Sequence, residues 1–481
     1  MRTFKELSLD KLSYVRLIEI ALKLPFLRRI LLNIATKKMR RYYFDTNVDN
    51  RPIAVQEEKF YLARNLLSAI RRISQSNNGL SPNVTKVLAK IVLGRMFIRD
   101  FPQREAFKQE YKRYPPDFMV ISPSKSCNLR CKGCYANSDI TTKSKLNFDV
   151  VDRIITEKND LWGSFFTVIT GGEPFMWKDN GKGLLELGEK HQEDTFFLVY
   201  TNGTLINEKV AQKLGEIGNI TPAISVEGYK KETDMRRGEG TYDKILAAFK
   251  HLASYGVPYG VSVTITKNNI DLLQKEDFYE YYFEKISARY MWMFQYMPIG
   301  REYTIDLMIT PEQRLALFEM ERKMSREKGY FIVDFWNSGI ASDGCVSAGR
   351  ECGHIHIDWN GNIMPCVFFP YYSENIVDIY NRGGNLNDAL QNPFFDSIRK
   401  WQDEYSYNCS RNKIGNLLAP CPMRDHHKTA TEIINKTNAN PQNADARDAL
   451  HDEGYHRRLV EYGENFRGLS GKIWETEYRN T

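Results

Sequence analysis

The sequence predicts an α/β fold: an open or partial barrel of about six strand–helix units, an all-helical extension before it and a cysteine-rich extension after it. Three observations predict this. Short apolar runs alternate with amphipathic helical patterns from residue 117 to about 335, which implies a parallel sheet with crossover helices. Four polar or glycine-rich motifs fall at the carboxyl ends of successive runs, where such folds carry their functional loops. Eight cysteines are clustered by position, three of them within eight residues.

A chain of 481 residues has room for two or three domains. Its hydrophobic fraction of 42% is that of a globular protein with a sizeable core. Boundaries are expected near 115, 340 and 425: a basic helical extension (1–115), a barrel (116–340), a cysteine-rich region (341–425) and a polar, helical tail (426–481). Residues 1–45 carry eleven Lys or Arg and four acids, a surplus of +7 that equals the net charge of the whole chain. Tyr14, Val15, Ile18, Leu22, Phe26 and Ile30 recur near helical spacing, with Pro25 an expected kink. Charges break every apolar run short of the ~20 residues of a membrane span. Two readings stand for this segment: a helix lying in an anionic membrane interface, or a helix packed on the protein with a solvated basic face. No groove-reading motif supports nucleic acid.

Residues 54–74 read as a helix, and Ser81-Pro82 as a helix start after the turn Ser76-Asn77-Asn78-Gly79. Strands are expected at Phe118–Ile121, Phe165–Ile169, Phe196–Tyr200, Ala223–Val226, Tyr259–Ile265, Trp292–Met297 and Tyr330–Phe335. Helical patterns lie between them at 148–159, 182–191, 207–216, 241–255 and 311–327. The first strand is followed by Cys127, the second by Thr170-Gly171-Gly172-Glu173-Pro174, the third by Thr201-Asn202-Gly203-Thr204 and the fourth by Glu227-Gly228. One Gly-Gly-Glu alone is a turn; four motifs at one end of a sheet are a site.

Cys127, Cys131 and Cys134 form C-x3-C-x2-C, which supplies three thiolates. A closed zinc site takes four ligands, and an iron–sulfur cube usually takes four. Three leave a position open for chemistry. No secretory signal is recognised in the first residues, so the cysteines read as metal ligands in a reducing cytosol. Cys345, Cys352, Cys366, Cys409 and Cys421 follow the barrel in a turn-rich stretch. There Ile355 to Cys366 alternates, turns at Asn360-Gly361 and alternates again, a β-hairpin pattern.

C-x3-C-x2-C after a first strand, with Gly-Gly-Glu-Pro after the second, resembles the radical SAM superfamily over about residues 117–335. The resemblance implies a partial (βα)6 TIM-like barrel and a [4Fe–4S] cluster on Cys127, Cys131 and Cys134. The open iron of that cluster would chelate S-adenosylmethionine. Reductive cleavage would then give methionine and a 5′-deoxyadenosyl radical that abstracts a substrate hydrogen. Gly171 and Gly172 would let the backbone approach the cofactor, with Pro174 closing the motif, and Glu173 would accept from its ammonium. By the same resemblance Ser225 and Glu227 meet the ribose hydroxyls, Arg236 or Arg237 the carboxylate, Asn202 and Thr204 the methionine or ribose, and Tyr135 the adenine. Many members carry an aromatic residue before the third cysteine; here it is Gly133. No catalytic acid or base is singled out.

The later run Gly344-Cys345, Ala348-Gly349-Arg350, Gly361 to Cys366, Cys409 and Cys421-Pro422 resembles the SPASM/twitch extension of that superfamily. It implies an auxiliary [4Fe–4S] cluster on Cys345, Cys366, Cys409 and Cys421, with Cys352 as substitute or neighbour. Zinc on the same four is the rival, and His426 and His427 read as isolated surface histidines rather than ligands. Three substrate classes compete: a lipid or other membrane-borne hydrophobic molecule, narrowly first because of residues 1–45; a peptide or protein; and no substrate at all, in a non-catalytic metal scaffold. A flavodoxin- or ferredoxin-type electron donor is implied. The expected location is cytoplasmic, with peripheral contact at the inner membrane face.

Overall fold

A computed structural model describes residues 18–20, 24–73, 79–93 and 102–481. Arg2, Lys5, Lys11, Arg16 and Lys23 lie outside the described residues, as does the turn expected at Ser76-Asn77-Asn78. Seven strands follow one another across a sheet: β1 (Phe118–Ile121), β2 (Phe166–Ile169), β3 (Phe196–Thr201), β4 (Ile220–Val226), β5 (Gly260–Ile265), β6 (Met291–Gln295) and β7 (Ile332–Asp334). Each is parallel to the next. β4 starts three residues before the expected Ala223, because Pro222 reads as a breaker in sequence and is accommodated inside the strand.

Side chains alternate across the strands with period two. Met119, Ile121, Phe197, Val199, Val261 and Val263 pack outward into the main core with the crossover helices. Phe118, Val120, Phe166, Val168, Leu198, Tyr200, Trp292 and Phe294 line one central cavity instead. Inner faces of strands from β1 to β6 around a single cavity make the sheet a partial barrel. The helices are built by ordinary local chemistry. Phe148–Trp162 buries Phe148, Val151, Ile154, Ile155 and Trp162 on one face and stops at Gly163, whose φ of +60° suits glycine. Pro311–Lys323 opens on a Thr310/Gln313 capping box.

The cysteine-rich region extends the same sheet. β8 (His356–Ile357) pairs parallel with the free edge of β1, and β9 (Asn362–Met364) and β10 (Glu374–Asn375) follow antiparallel. The hairpin expected at Asn360-Gly361 is the β8–β9 turn, where Gly361 has φ +86°. His354, just before β8, stands 6.0 Å from Phe335, just after β7. The extension thus spans the gap between the first and last barrel strands. Residues 426–481 pack back on the molecule: Leu459, Phe466, Trp474 and Tyr478 are buried, and the helix Glu453–Ile473 lies against Pro311–Lys323.

The described part of 1–115 is helical. Ser81 caps Pro82–Val87, its hydroxyl accepting from the Val84 N–H. Pro25 opens the helix Pro25–Arg40, at a position where a missing N–H costs nothing. That helix buries Arg28, Leu32 and Ala35, and leaves Phe26, Leu27, Ile30 and Ile34 exposed on the opposite face. Among the described residues no helix is long and apolar enough to cross a membrane.

Candidate active site

The segment after β1 crosses the top of the barrel and is stitched to the loop after β2. Gly172 N–H donates to Ser124 O (2.9 Å) and Glu173 N–H to Ser126 O (2.8 Å). Approach this close needs glycine: a Cβ on Gly172 would stand 2.1 Å from Ser126 O, and one on Gly171 2.6 Å from Ser124 O. Tyr135 braces the same contact, accepting from the Gly171 N–H (3.1 Å) and pairing with the Thr170 hydroxyl (2.9 Å). Arg301, which no motif marks, straps the cysteine loop from beyond β6. Its guanidinium donates to Cys131 O (2.7 Å) and Ser138 O (2.6 Å), and its N–H donates to Cys134 O (3.0 Å).

Cys127, Cys131 and Cys134 all line the mouth of a cavity of about 250 Å³. Burial pushes the Cys127 thiol up to about 12, with Glu173 and the other two thiols adding to the rise. Burial also raises Cys131, against the pull of Arg237 and Arg236. Those two arginines share one buried carboxylate: Glu227 Oε1 accepts from Arg236 (2.6 Å) and from Arg237 (2.6 Å). Arg237 then reaches 4.0 Å from Cys131 Sγ, and Arg236 donates to Gly133 O (3.3 Å). Positive charge is thereby fixed beside groups that must become thiolates to bind metal. Among the described residues, no three His, Cys, Asp or Glu side chains already stand in metal-holding geometry.

The other expected cofactor residues divide into two sets. Tyr135, Gly171, Gly172, Asn202, Ser225 and Arg236 line the cavity with the thiols. Glu173, Pro174, Thr204 and Glu227 stand behind it. Glu173 is buried and accepts from Thr201 Oγ1 (2.7 Å), Asn202 N–H (2.8 Å) and Phe175 N–H (3.1 Å). It locks the loops after β2 and β3 together. Asn202 donates to Asn128 Oδ1 (2.8 Å) and accepts from both the N–H and the hydroxyl of Thr204.

Below the thiols the cavity is walled by Phe118, Phe166, Tyr200, Trp292, Phe294 and Phe368. Gln295 and His354 also line it. Burial, then Arg350, hold the His354 imidazole down to about 3.

A second, smaller cavity lies beyond Phe335 and Phe368, which line both. Cys345, Cys366 and Cys421 line it, with Trp336 beside them. Burial raises the Cys366 thiol, and burial, Asp425 and Cys345 raise Cys421 to about 12. The other two late cysteines stand apart. The Cys409 thiol donates to the carbonyls of Glu404 (3.1 Å) and Asp403 (3.4 Å) and packs in the Val55–Ile414 core. Cys352 is exposed. His426 and His427 are not surface histidines, because side chains and carbonyls of the extension close over them. His426 packs edge-on against the stacked Trp401 and Tyr405 rings and meets Ala419 O (3.0 Å), and His427 is buried with Nδ1 on Met423 O (2.9 Å).

Residues 121–278 match the family model described as the radical SAM superfamily. This segment of the chain is a radical SAM domain. Members of that superfamily use a [4Fe–4S] cluster and S-adenosylmethionine. It is 29% identical over 245 residues to the Fe-coproporphyrin III synthase of Methanosarcina barkeri, covering 48% of this chain and 58% of that one. The chain therefore spans little more than half of that relative. It is 28% identical over 344 residues to a cysteine-type anaerobic sulfatase-maturating enzyme of Clostridium novyi, covering 62% and 89%. The radical SAM fold is shared with Streptococcus suis SuiB bound to precursor peptide SuiA (TM-score 0.52, 18% identity, covering 68% and 76%).

Proposed function

We propose that this radical SAM enzyme removes a hydrogen atom from an apolar side chain of a peptide or protein, held in the aromatic half of the cavity. One observation carries the reading: a single cavity runs from Cys127, Cys131 and Cys134 down to a box of aromatic rings. The residues fit the cofactors. Three thiols flanked by two arginines suit a cluster, and Gly171 and Gly172, pressed on the Ser124–Ser126 backbone, bring the loop after β2 to the edge of the same cavity. When bound, the cluster and S-adenosylmethionine supply reductive cleavage and a hydrogen-abstracting 5′-deoxyadenosyl group. Asn202, Ser225, Arg236 and Tyr135 would orient the cofactor. Glu173 and Glu227 would act from behind, the first by holding two loops in register and the second by aiming both arginines.

A peptide is favoured over the lipid because a relative covered over 89% of its length is named for maturing a sulfatase, a protein. Anaerobically reconstituted protein with S-adenosylmethionine and dithionite should form 5′-deoxyadenosine; a reconstituted protein that forms none refutes the reading.

We further propose an auxiliary cluster on Cys345, Cys366 and Cys421. The wild type should hold about eight irons per chain and Cys421→Ala about four, with Cys409→Ala close to wild type. Wild-type protein with about four irons, or with zinc at this site, would sink the assignment.

The exposed apolar face of Pro25–Arg40 favours the interfacial reading of the amino-terminal segment. Phe26, Leu27, Ile30 and Ile34 stand opposite its packed side, and Lys37, Lys38 and Arg40 lie in its last turn. That arrangement suits an anionic bilayer surface. The protein should co-sediment with phosphatidylserine-containing vesicles at low salt, and Ile30→Glu/Ile34→Glu should abolish this. Binding that survives the substitutions removes the helix from the contact.

A further inference from the structure

Arg301 is 5% exposed, and among the described residues its guanidinium meets backbone carbonyls and no carboxylate. Its Nε has no partner at all. Buried charges in folded proteins are nearly always paired with an opposite charge. The other two arginines of the site obey this, since Arg236 and Arg237 share Glu227 (2.6 Å each). Asp139 is the one acid in residues 122–147, and it is turned to Thr141, accepting from its hydroxyl (2.6 Å) and its N–H (2.9 Å). Those two bonds, with a smaller part from Arg301, hold its carboxyl below the usual range. Arg301 therefore brings a positive charge with no paired counter-ion against the loop that carries the three thiols. The backbone puts it there. Gly300 has φ +70°, and a Cβ on it would stand 2.2 Å from Tyr135 O and 2.5 Å from Cys134 O. The next N–H, that of Arg301, donates to Cys134 O (3.0 Å), and the guanidinium spans Cys131 O (2.7 Å) and Ser138 O (2.6 Å). Tyr296 and Met297, earlier on the same segment, line the cavity. The segment after β6 is thus a clasp, with one end in the cavity wall and the other on the cysteine loop.

We propose that Arg301 is a positioning residue for the metal centre: it fixes the backbone beneath Cys131 and Cys134, and the anionic cluster on the thiolates is the counter-ion it lacks. This rests on the reading of Cys127, Cys131 and Cys134 as cluster ligands. Three thiolates on a [4Fe–4S] centre leave it with a net negative charge, and reduction adds to that charge. A buried cation alongside favours the added electron. Arg301 therefore has two effects, and they have different chemical requirements. Bridging two carbonyls at once needs the planar fork of a guanidinium, whereas the electrostatic effect needs only a cation.

The test compares Arg301→Met and Arg301→Lys with the wild type after anaerobic reconstitution. The centre on the three cysteines is read by the part of the reduced protein's EPR signal that shifts when S-adenosylmethionine is added. Arg301→Met should lose that signal at about tenfold less iron chelator, the effect of removing a group that supports a metal ligand. At a fixed solution potential its ratio of reduced to oxidised centre should fall about tenfold, which is about 59 mV for one electron. Arg301→Lys should recover the ratio and stay as sensitive to chelator as Arg301→Met. An Arg301→Met protein that matches the wild type in both readings overturns the proposal. Greater chelator sensitivity with an unchanged ratio overturns the electrostatic half and leaves a strap. Should Arg301→Met fail to fold, Arg301→Lys decides alone: a wild-type ratio with weakened iron retention supports the proposal, and any other pairing overturns it. Wild-type protein without a shifting signal sinks the cluster reading and this inference with it, whereas a shifting signal that the substitutions leave untouched sinks this inference alone.

Discussion

Cys127→Ala should lower 5′-deoxyadenosine formation by more than about 100-fold, the outer limit for losing a residue that merely supports a metal ligand. Of the three thiols at the cavity mouth, Cys127 is the one tied most tightly to both neighbouring loops. Its N–H donates to Asp139 O (3.1 Å), its sulfur accepts from the Leu129 N–H (3.4 Å), and Asn202 Nδ2 stands 3.8 Å away. Alanine keeps the N–H bond to Asp139 O, gives up the two contacts made by the sulfur and removes one donor of three. The measurement is chromatographic detection of 5′-deoxyadenosine, with iron counted on the same sample. A variant that makes as much as wild type refutes the ligand assignment. Cys409→Ala is the informative comparison, because it also removes a cysteine but one whose thiol faces the carbonyls of Asp403 and Glu404.

The contrast between those two cysteines shows where a sequence is legible. Cys127, Cys131 and Cys134 lie on one short loop after one strand, so spacing alone puts their thiols at one end of the sheet. Gly171 and Gly172 are legible for the same reason: each motif directly follows its own strand, and the sheet aligns the strand ends. The late cysteines lie on separate turns, and spacing says nothing of which way each thiol points. Cys345, Cys366 and Cys421 converge, while the Cys409 thiol turns to the carbonyls of Asp403 and Glu404 at the edge of a different core cluster.

What escaped the sequence depends on contacts between distant segments. Arg301 reaches back about 170 positions to Cys131 O. His354 enters the cavity only because β8 adds to the open edge of β1, a pairing that no local pattern announces. His426 and His427 look like polar residues in a polar stretch, and their burial comes from Trp401, Tyr405 and the carbonyls of Ala419 and Met423. Glu227 was legible as a site residue by its place after β4, but not its partnership with both Arg236 and Arg237, since sequence gives no side-chain geometry.

The largest effect on stability should come from Arg314, for the same non-local reason. Its guanidinium is fully buried and pairs with an equally buried Asp425 (2.5 Å). It also donates to Leu418 O (2.8 Å) and Asn337 Oδ1 (3.2 Å), and lies 3.7 Å over the Phe466 ring. One side chain thus joins a barrel helix, the cysteine-rich extension and the carboxyl-terminal helix. A buried ion pair is weak evidence of net stabilisation, but breaking one strands a charge, at a cost of roughly 3–5 kcal/mol. Arg314→Met should therefore unfold at clearly lower denaturant concentration than wild type. Arg314→Met/Asp425→Asn should recover part of the loss, because the stranded carboxylate is gone. The consequence extends to the second cysteine site, since Asp425 Oδ2 accepts from the Cys421 N–H (3.1 Å). Iron content in Arg314→Met should fall from about eight toward about four per chain, as in Cys421→Ala. Unchanged stability would show that the pair contributes nothing to docking. Lost stability with full iron content would separate that docking from the cysteine site it adjoins.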